Sequence, residues 1–191
     1  DSDYSWGLFT TTLGWTDPLE FNRRNDEYYV QYKAGTLDIR DYIRFSTQAI
    51  RQQGAIKSGA AHAEFMSAVI QPALQESALD LVRMHQTQGD QVVIITATNE
   101  FVTRPIAEAF GVDNLIAVDL ERDSSSGEAG WFTGEIKGVP SFREGKVTRI
   151  KAWLAARQLR LSEVESTFYT DSINDLSLME NVTHPVATNP D

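Results

Sequence analysis

The chain has 191 residues, of which 41% are hydrophobic, and this is enough for one main domain with a buried core. Its 17 basic and 27 acidic residues give a formal net charge of −10, which argues against nucleic acid and anionic membranes as partners. Because cysteine is absent, disulfides, thiolate metal sites and a cysteine nucleophile are excluded, and a cytoplasmic location fits. The oligomeric state stays open.

The candidate metal ligands are therefore carboxylate oxygens and three histidines. His62, His85 and His184 lie far apart and lack the H-x-x-x-H spacing of a zinc-binding helix, so we do not expect zinc. The longest strand-like apolar run, residues 92–95, is far shorter than the roughly 18 residues that a membrane span needs. The sequence predicts neither a zinc site nor a membrane span.

The N-terminal third predicts a compact α-helical unit. From Tyr4 to about residue 69, apolar side chains return at three- and four-residue steps, and strand signals are absent. Pro18, Gly35 and the stretch 54–59 divide this region into several short helices. We expect residues 1–72 to form a helical module in front of a second region.

Residues 73–191 alternate helix and strand patterns. An amphipathic helix ends at Gly89, and residues 91–96 then form a short apolar run of the kind found in buried parallel strands. The further predicted elements are a helix at 101–110, a strand at 115–120, a polar loop at 123–130, a hairpin strand at 131–136, a helix at 146–157, a strand around Phe168 and a last strand at 184–188. This order predicts an α/β fold with a doubly wound parallel, Rossmann-like sheet and right-handed crossovers.

Polar side chains suited to phosphate chemistry occur at the ends of these elements. Thr96 closes one strand, Lys146 opens a helix, and Asp171 and Asp175 follow the strand around Phe168. Because the carboxyl ends of parallel strands open onto one crevice, we expect these groups to converge. A hydroxyl donor, a cation and carboxylates that hold Mg²⁺ are what phosphoryl transfer requires. Taken singly, each residue also has a structural interpretation as a strand end, helix cap, turn or surface charge.

Three blocks of sequence carry a resemblance to a known family: Val92-Val-Ile-Ile-Thr-Ala-Thr-Asn99, Glu144-Gly-Lys-Val147 and Tyr169-Thr-Asp-Ser-Ile-Asn-Asp-Leu176. They resemble motifs II, III and IV of the haloacid dehalogenase superfamily. The whole chain is most similar to the phosphoserine phosphatase-like branch (subfamily IB), in which a helical C1-type cap follows the first core strand. The resemblance implies a Mg²⁺-dependent phosphatase that acts on a small phosphomonoester through an aspartyl-phosphate. Its cap would be residues 1–72 and its α/β core residues 73–191.

The same resemblance implies roles for individual residues. Thr96 would donate a hydrogen bond to the phosphoryl group, Lys146 would stabilise the phosphorylated nucleophile, and Asp171 would bind Mg²⁺. Asp175 would support the water ligands of the metal and the ammonium group of Lys146. Asn174 would contact the phosphate or the substrate.

Motif I is where the chain departs from the family pattern. In the family it is an apolar strand ending in D-x-D-x-T, whose first Asp is the nucleophile and whose second is the general acid and base. Asp1-Ser2-Asp3 has the D-x-D spacing, but no strand precedes it and Tyr4-Ser5-Trp6 follows, so we interpret it as the beginning of the cap. We expect motif I, with the central strand of the sheet, roughly ten residues before Asp1.

Four positions bear on the choice of substrate. Asp1 resembles an acidic substrate-binding position of phosphoserine phosphatases and could receive an ammonium group, although a helix N-terminal charge is its structural interpretation. Arg44 could bind a carboxylate. Ala97 and Thr98 replace the two glycines that follow motif II in phosphoserine phosphatases, which narrows access for a substrate carboxylate. Phosphoserine is therefore a candidate without being favoured, and another amino-bearing ester such as histidinol phosphate is comparable.

Two alternatives remain. A catalytically silent family member would lack a motif I aspartate and use its cap as a binding or regulatory module. A response-regulator receiver would use a similar set of Asp, Mg²⁺, Thr and Lys, but it does not account for the long helical region before the sheet or for the D-x-x-x-D spacing after it.

Overall fold

The computed structural model describes residues 1–123 and 130–188. The helices of that part are α1 (Ser2–Thr12), α2 (Pro18–Ala34), α3 (Ile39–Ser46), α4 (Gln48–Phe65), α5 (Gln71–Ala73), α6 (Glu76–Thr87), α7 (Glu100–Ala109), α8 (Glu144–Ala155) and α9 (Leu176–Met179). A π-helical turn occupies Met66–Ile70, and 3₁₀ turns occupy Leu161–Glu163 and Ile173–Asp175. The strands are β1 (Val93–Asn99), β2 (Asn114–Val118), β3 (Leu120–Arg122), β4 (Phe132–Ile136), β5 (Thr167–Thr170) and β6 (His184–Ala187).

The N-terminal helices begin and end where the sequence supplies caps. Before α2, the side chain of Asp17 accepts a hydrogen bond from the N–H of Glu20, and Pro18 occupies the first helical position. Gly35 ends α2 in the left-handed conformation, with φ of 72°. Gly54 interrupts α4 with non-helical backbone angles. The predicted division of a helical N-terminal region into several helices is confirmed.

Two parallel strand pairs and one antiparallel hairpin form the β structure. β1 pairs in parallel with β2, β5 pairs in parallel with β6, and β3 and β4 form the hairpin. Parallel strands connected through helices confirm the predicted α/β class. In the described part of the chain β1 and β5 each have one strand neighbour, so each has an edge that can accept a further strand.

Two strand boundaries differ from the prediction. β1 continues to Asn99, three residues beyond the predicted end at Thr96, because Asn99 still pairs with Val118 of β2. The predicted strand at 115–120 is two strands, since β2 ends at Val118 and Leu120 pairs with Ile136 of β4 instead. Thr96 therefore lies inside a strand and not at its end.

One apolar cluster joins the helical region to α7 and to the hairpin. Trp6 of α1 and Phe65 of α4 are buried in the same cluster as Val102 of α7 and Leu120 of β3. The rings of Trp6 and Phe65 meet edge to face, with their centroids 5.3 Å apart. The predicted boundary at residue 72 lies within α5, and hydrophobic packing is continuous across it. The division into a cap and a core stays a prediction.

Parts of two predicted segments are not covered by the structure. Most of the polar loop predicted at 123–130 and the three residues after Thr188 lie outside the described residues. Within residues 1–123 and 130–188, every helix is too short or too polar to cross a bilayer.

Candidate active site

A buried ion pair connects α8 to the segment that follows β5. The Nζ atom of Lys146, in the first turn of α8, lies 2.5 Å from Oδ1 of Asp175. The hydroxyl of Thr170, the last residue of β5, donates a hydrogen bond of 2.7 Å to Oδ2 of the same carboxylate. Only 5% of Lys146 and 6% of Asp175 are exposed, so each charge depends on the other for stabilisation. The pair fixes an ammonium group close to the carboxyl end of β5.

Asp171 is adjacent in sequence but lies in a different environment. It follows the last residue of β5 and is exposed, and in residues 1–123 and 130–188 its carboxylate has no hydrogen-bond or ion-pair partner. A free carboxylate at a strand end fits Mg²⁺, which usually takes one or two protein carboxylates and completes its shell with water and phosphate. The described residues contain no group of three or more His, Asp and Glu side chains that could hold a metal. Mg²⁺ is a cation that a single protein carboxylate of this kind can help to hold.

Thr96 supplies a hydroxyl on β1, which belongs to the parallel strand pair of β1 and β2. Its Oγ1 atom accepts a hydrogen bond of 3.1 Å from the N–H of Thr98. Among the described residues it donates its own proton to no group, so the hydroxyl can still donate to a ligand. No direct contact in this part of the chain joins Thr96 to Lys146 or Asp171. The structure therefore brings Lys146 and Asp175 together directly and places Thr96 and the half-buried Ala97 on β1.

Asn174 is held by two neighbours. Its Nδ2 atom donates to the carbonyl of Tyr32 in α2 at 3.3 Å, and its Oδ1 atom accepts from Nε of Arg143 at 3.1 Å. The hydroxyl of Tyr32 also lies 2.5 Å from the hydroxyl of Ser172. The helical region thus contacts the loop after β5 through side chains. The second N–H of the Asn174 Nδ2 atom is unused in the described part of the chain, so it can still donate to a phosphate or substrate oxygen.

Arg143, which immediately precedes α8, has strained backbone geometry. Its φ of 50° and ψ of −125° are unfavourable for a residue with a side chain. Its guanidinium reaches Gly35 at the end of α2, where an added Cβ would lie 2.6 Å from Nη2. Gly35 is therefore required both by its positive φ and by this close approach. Sequence reasoning missed Arg143, because backbone strain at an arginine has no signature in residue type.

The two predicted charged substrate ligands lie on the protein surface. Asp1 is exposed and caps α1 by accepting a hydrogen bond of 3.2 Å from the N–H of Tyr4. Arg44 donates to both carboxylate oxygens of Glu135 on β4, at 2.8 and 3.1 Å, and to Asp41 at 2.8 Å. A substrate carboxylate would have to compete with Glu135 for the guanidinium of Arg44.

Asp3 is a buried carboxylate that the sequence analysis interpreted only as part of the beginning of the cap. It is 7% exposed and accepts a hydrogen bond of 3.2 Å from Nδ2 of Asn99 at the end of β1. The side chains of Thr98 and Tyr42 also hydrogen-bond to it. Burial raises the pKa of Asp3 to about 7, although the hydrogen bonds from Thr98 and Tyr42 oppose the rise. Burial, followed by the nearby carboxylate of Asp3, raises the pKa of Tyr42 well above its usual value, so its hydroxyl stays a donor.

The substitution Asp3→Asn should remove a pH-dependent loss of stability. Because the pKa of Asp3 is higher in the folded protein (about 7) than its usual value of 3.8, the folded state binds the proton more tightly. The wild type is therefore destabilised progressively as the pH rises from about 4 to about 7. Ionisation of Asp3 alone should lower the free energy of unfolding by about 2 kcal/mol between pH 5.5 and pH 8.5. Urea unfolding of both proteins at these two pH values measures the effect. If the difference in free energy of unfolding between wild type and variant is the same at both pH values, the assignment of a raised pKa to Asp3 is contradicted.

Comparisons with known proteins identify the family. A model of the haloacid dehalogenase-like hydrolases matches residues 1–180. A histidinol-phosphatase from Neisseria meningitidis serogroup C (strain 8013) is 38% identical over 192 residues, covering 100% of this chain and 85% of that protein. The crystal structure of a protein of unknown function from Bordetella pertussis Tohama I has a TM-score of 0.90 and 46% identity, covering 100% of this chain and 84% of that chain. A substrate-bound phosphoserine phosphatase has a TM-score of 0.66 at 14% identity, covering 100% of this chain and 80% of that chain, which supports the fold alone.

These matches confirm the resemblance to the phosphoserine phosphatase-like branch and exclude the receiver alternative. The family model extends over most of the chain, and the Neisseria relative aligns along its whole length. The chain therefore belongs to the haloacid dehalogenase-like hydrolase family and is a phosphatase, a phosphoric monoester hydrolase, of that family.

Proposed function

We propose that the intact protein is a Mg²⁺-dependent phosphatase that hydrolyses a small amino-bearing phosphomonoester through an aspartyl-phosphate. The observation that supports this most is the buried pair of Lys146 and Asp175, which is bonded to Thr170, the residue immediately before the unpaired Asp171. A fixed ammonium group and a carboxylate that can hold a cation suit a reaction in which charge spreads over phosphoryl oxygens. The nucleophile is proposed to lie in motif I before Asp1, and the open edges of β1 and β5 can accept its strand.

The residues of this chain have distinct roles in the proposal. Thr96 donates its free hydroxyl proton to a phosphoryl oxygen. Lys146 has three N–H donors, of which Asp175 takes one, and the others can reach the phosphate and the nucleophile. Asp175 is bonded through both oxygens, so its first task is to hold Lys146 in place, with support of metal-bound water as a second. Asn174 contacts the phosphate or the substrate through the second N–H of its amide.

Asp171 is the proposed Mg²⁺ ligand. When bound, the metal would neutralise charge on the phosphate and so allow an anionic nucleophile to approach it. Since Asp171 is exposed and unpaired in the described part of the chain, metal binding breaks no existing interaction of its carboxylate.

Among amino-bearing esters, histidinol phosphate is the favoured substrate. The Neisseria relative is named a histidinol-phosphatase. Phosphoserine carries a carboxylate and histidinol phosphate does not, so the latter does not depend on Arg44, which Glu135 already engages. Ala97 and Thr98 also leave less space beside β1 than two glycines would.

A screen of phosphate release by the intact protein tests the proposal. We expect turnover that requires Mg²⁺, is lost on chelation with EDTA and restored by excess Mg²⁺, and is highest for histidinol phosphate among amino-acid, amino-alcohol, sugar and nucleotide esters. A flat profile would contradict the substrate proposal. Absence of release from every ester, including an aryl phosphate, would favour a catalytically silent binding or regulatory module. The cytoplasmic location stays a prediction.

A further inference from the structure

Arg143 has backbone angles that suit a glycine better than an arginine. Its φ of 50° and ψ of −125° bring the Cβ atom of any other residue close to the backbone. Among residues 1–123 and 130–188, Gln158, with φ of 60°, is the only other non-glycine residue with a positive φ. Such strain costs free energy and persists where surrounding contacts hold the residue in place, often at functional sites. The contacts of the Arg143 side chain indicate why an arginine occupies this position.

The guanidinium of Arg143 joins three segments of the chain. Its Nε atom donates to Oδ1 of Asn174, in the loop after β5, at 3.1 Å. Its Nη2 atom packs against Gly35 at the end of α2, where the carbonyl groups of the helix favour a cation. Its Cζ atom lies 5.1 Å from the ring centroid of Phe142, which precedes α8. A glycine at this position would fit the backbone but would make none of these contacts.

The amide of Asn174 is oriented by two partners of opposite kind. Arg143 donates to its Oδ1 atom, and the carbonyl of Tyr32 accepts from its Nδ2 atom at 3.3 Å. Rotating the amide by half a turn would place donor against donor and acceptor against acceptor. The second N–H of Nδ2, which is the group proposed to contact phosphate or substrate, therefore has a fixed direction. Loss of the guanidinium would free Oδ1 and remove half of this restraint.

Arg143 also belongs to a closed ring of contacts with the buried ion pair. Its carbonyl accepts a hydrogen bond of 2.9 Å from the N–H of Lys146. The Nζ atom of Lys146 contacts Asp175, and Asn174, the residue before Asp175, returns to the guanidinium of Arg143. The ring contains only these four residues. The position of the Arg143 side chain is thus coupled directly to the segments that carry Lys146 and Asp175.

We propose that Arg143 is a positioning residue whose guanidinium fixes the amide of Asn174, so that the remaining N–H of the amide donates to the bound phosphate ester. This inference rests on the proposed phosphatase function. Arginine is present in place of glycine because only a side chain can make the bond to Asn174, and the contacts with Gly35 and Phe142 hold the guanidinium in place. The strain of the backbone is the cost of that arrangement.

Two substitutions separate the side chain of Arg143 from its backbone. Arg143→Gly removes the guanidinium and relieves the strain, whereas Arg143→Ala removes the guanidinium and keeps the strain. In the intact protein with Mg²⁺ and an aryl phosphate, we expect kcat/KM to fall roughly 10- to 100-fold in both variants alike, as for the loss of one hydrogen bond to a charged group. Thermal unfolding should nevertheless show a higher midpoint for Arg143→Gly than for Arg143→Ala.

A double-mutant cycle tests whether Arg143 acts through Asn174. Asn174→Ala should lower kcat/KM to a similar extent, and adding Arg143→Gly to it should cause no further loss beyond about twofold. Guanidinium ion added at millimolar concentration should restore part of the activity of Arg143→Gly and none of that of Asn174→Ala. Gln158→Gly is the matched control for strain. It should raise the thermal midpoint and leave kcat/KM within about twofold of wild type, because Gln158 is exposed at the end of α8.

The outcomes separate this inference from the proposed function. Wild-type kcat/KM in Arg143→Gly, or additive losses in the double variant, would overturn the inference. Activity that follows the thermal midpoint, lost in Arg143→Ala but retained in Arg143→Gly, would show a purely structural role and also overturn it. In each of these cases turnover by the wild type still supports a phosphatase. If the wild type releases phosphate from no ester, the proposed function fails and the inference fails with it.

Discussion

The substitution Lys146→Met should lower the free energy of unfolding by about 3–5 kcal/mol, because it leaves the carboxylate of Asp175 buried without its cation. Lys146 and Asp175 are each less than a tenth exposed, and their 2.5 Å contact is supplemented only by the hydroxyl of Thr170 among the described residues. Urea or guanidinium unfolding measures the loss. The double substitution Lys146→Met with Asp175→Asn should recover part of it, since no unpaired charge remains.

A matched control comes from an ion pair on the surface. Arg23 pairs with both Glu20 and Glu27 of α2, and all three side chains are more than half exposed. Arg23→Met should lower the free energy of unfolding by no more than about 1 kcal/mol, because solvent screens both pairs. Equal effects of Lys146→Met and Arg23→Met would contradict the view that burial gives the site its stability.

Asp171→Asn should reduce kcat by at least about 1,000-fold while leaving the unfolding transition unchanged. In the proposed mechanism a bound metal would supply several kcal/mol of charge stabilisation to the transition state, and a neutral amide is a much weaker ligand for a hard cation. Stability should not change, since the wild-type carboxylate is exposed and makes no hydrogen bond or ion pair in the described part of the chain. Steady-state phosphate release and thermal unfolding measure the two quantities.

Asp113 is the control for the loss of a surface carboxylate. It is exposed and immediately precedes β2. Asp113→Asn should retain wild-type kcat and the stabilisation of the protein by added Mg²⁺, whereas Asp171→Asn should lose both. Wild-type turnover by Asp171→Asn would refute the assignment of the metal site.

Much of the fold was predictable because local signals agreed with the final structure. Asp17 and Pro18 mark the beginning of α2, Gly35 marks its end, and the apolar run before Thr96 marks a parallel strand. The strand boundaries were wrong where pairing partners decide them. β1 extends to Asn99 only because it pairs with β2 there, and no property of the individual residues predicts this pairing.

The site was predictable to the extent that its residues belong to contiguous motifs. Lys146 and Asp175 could be named because each lies in a block with recognisable spacing, although 29 positions separate them and only the coordinates show their contact. Asp3 and Arg143 belong to no such block. Their interest comes from burial without a cation and from a strained backbone, which are properties of the folded chain.

The sequence by itself determined the α/β class, the family and the identity of the candidate phosphate-site residues, because caps, hydrophobic periodicity and short motifs are local. Only the tertiary structure decided which acidic residue near the amino terminus is buried. Asp1 and Asp3 are two positions apart in sequence, but the first remains in water while the second faces Tyr42 and the end of β1. Desolvation depends on residues that the chain brings together from distant positions, and it is desolvation that raises the pKa of Asp3.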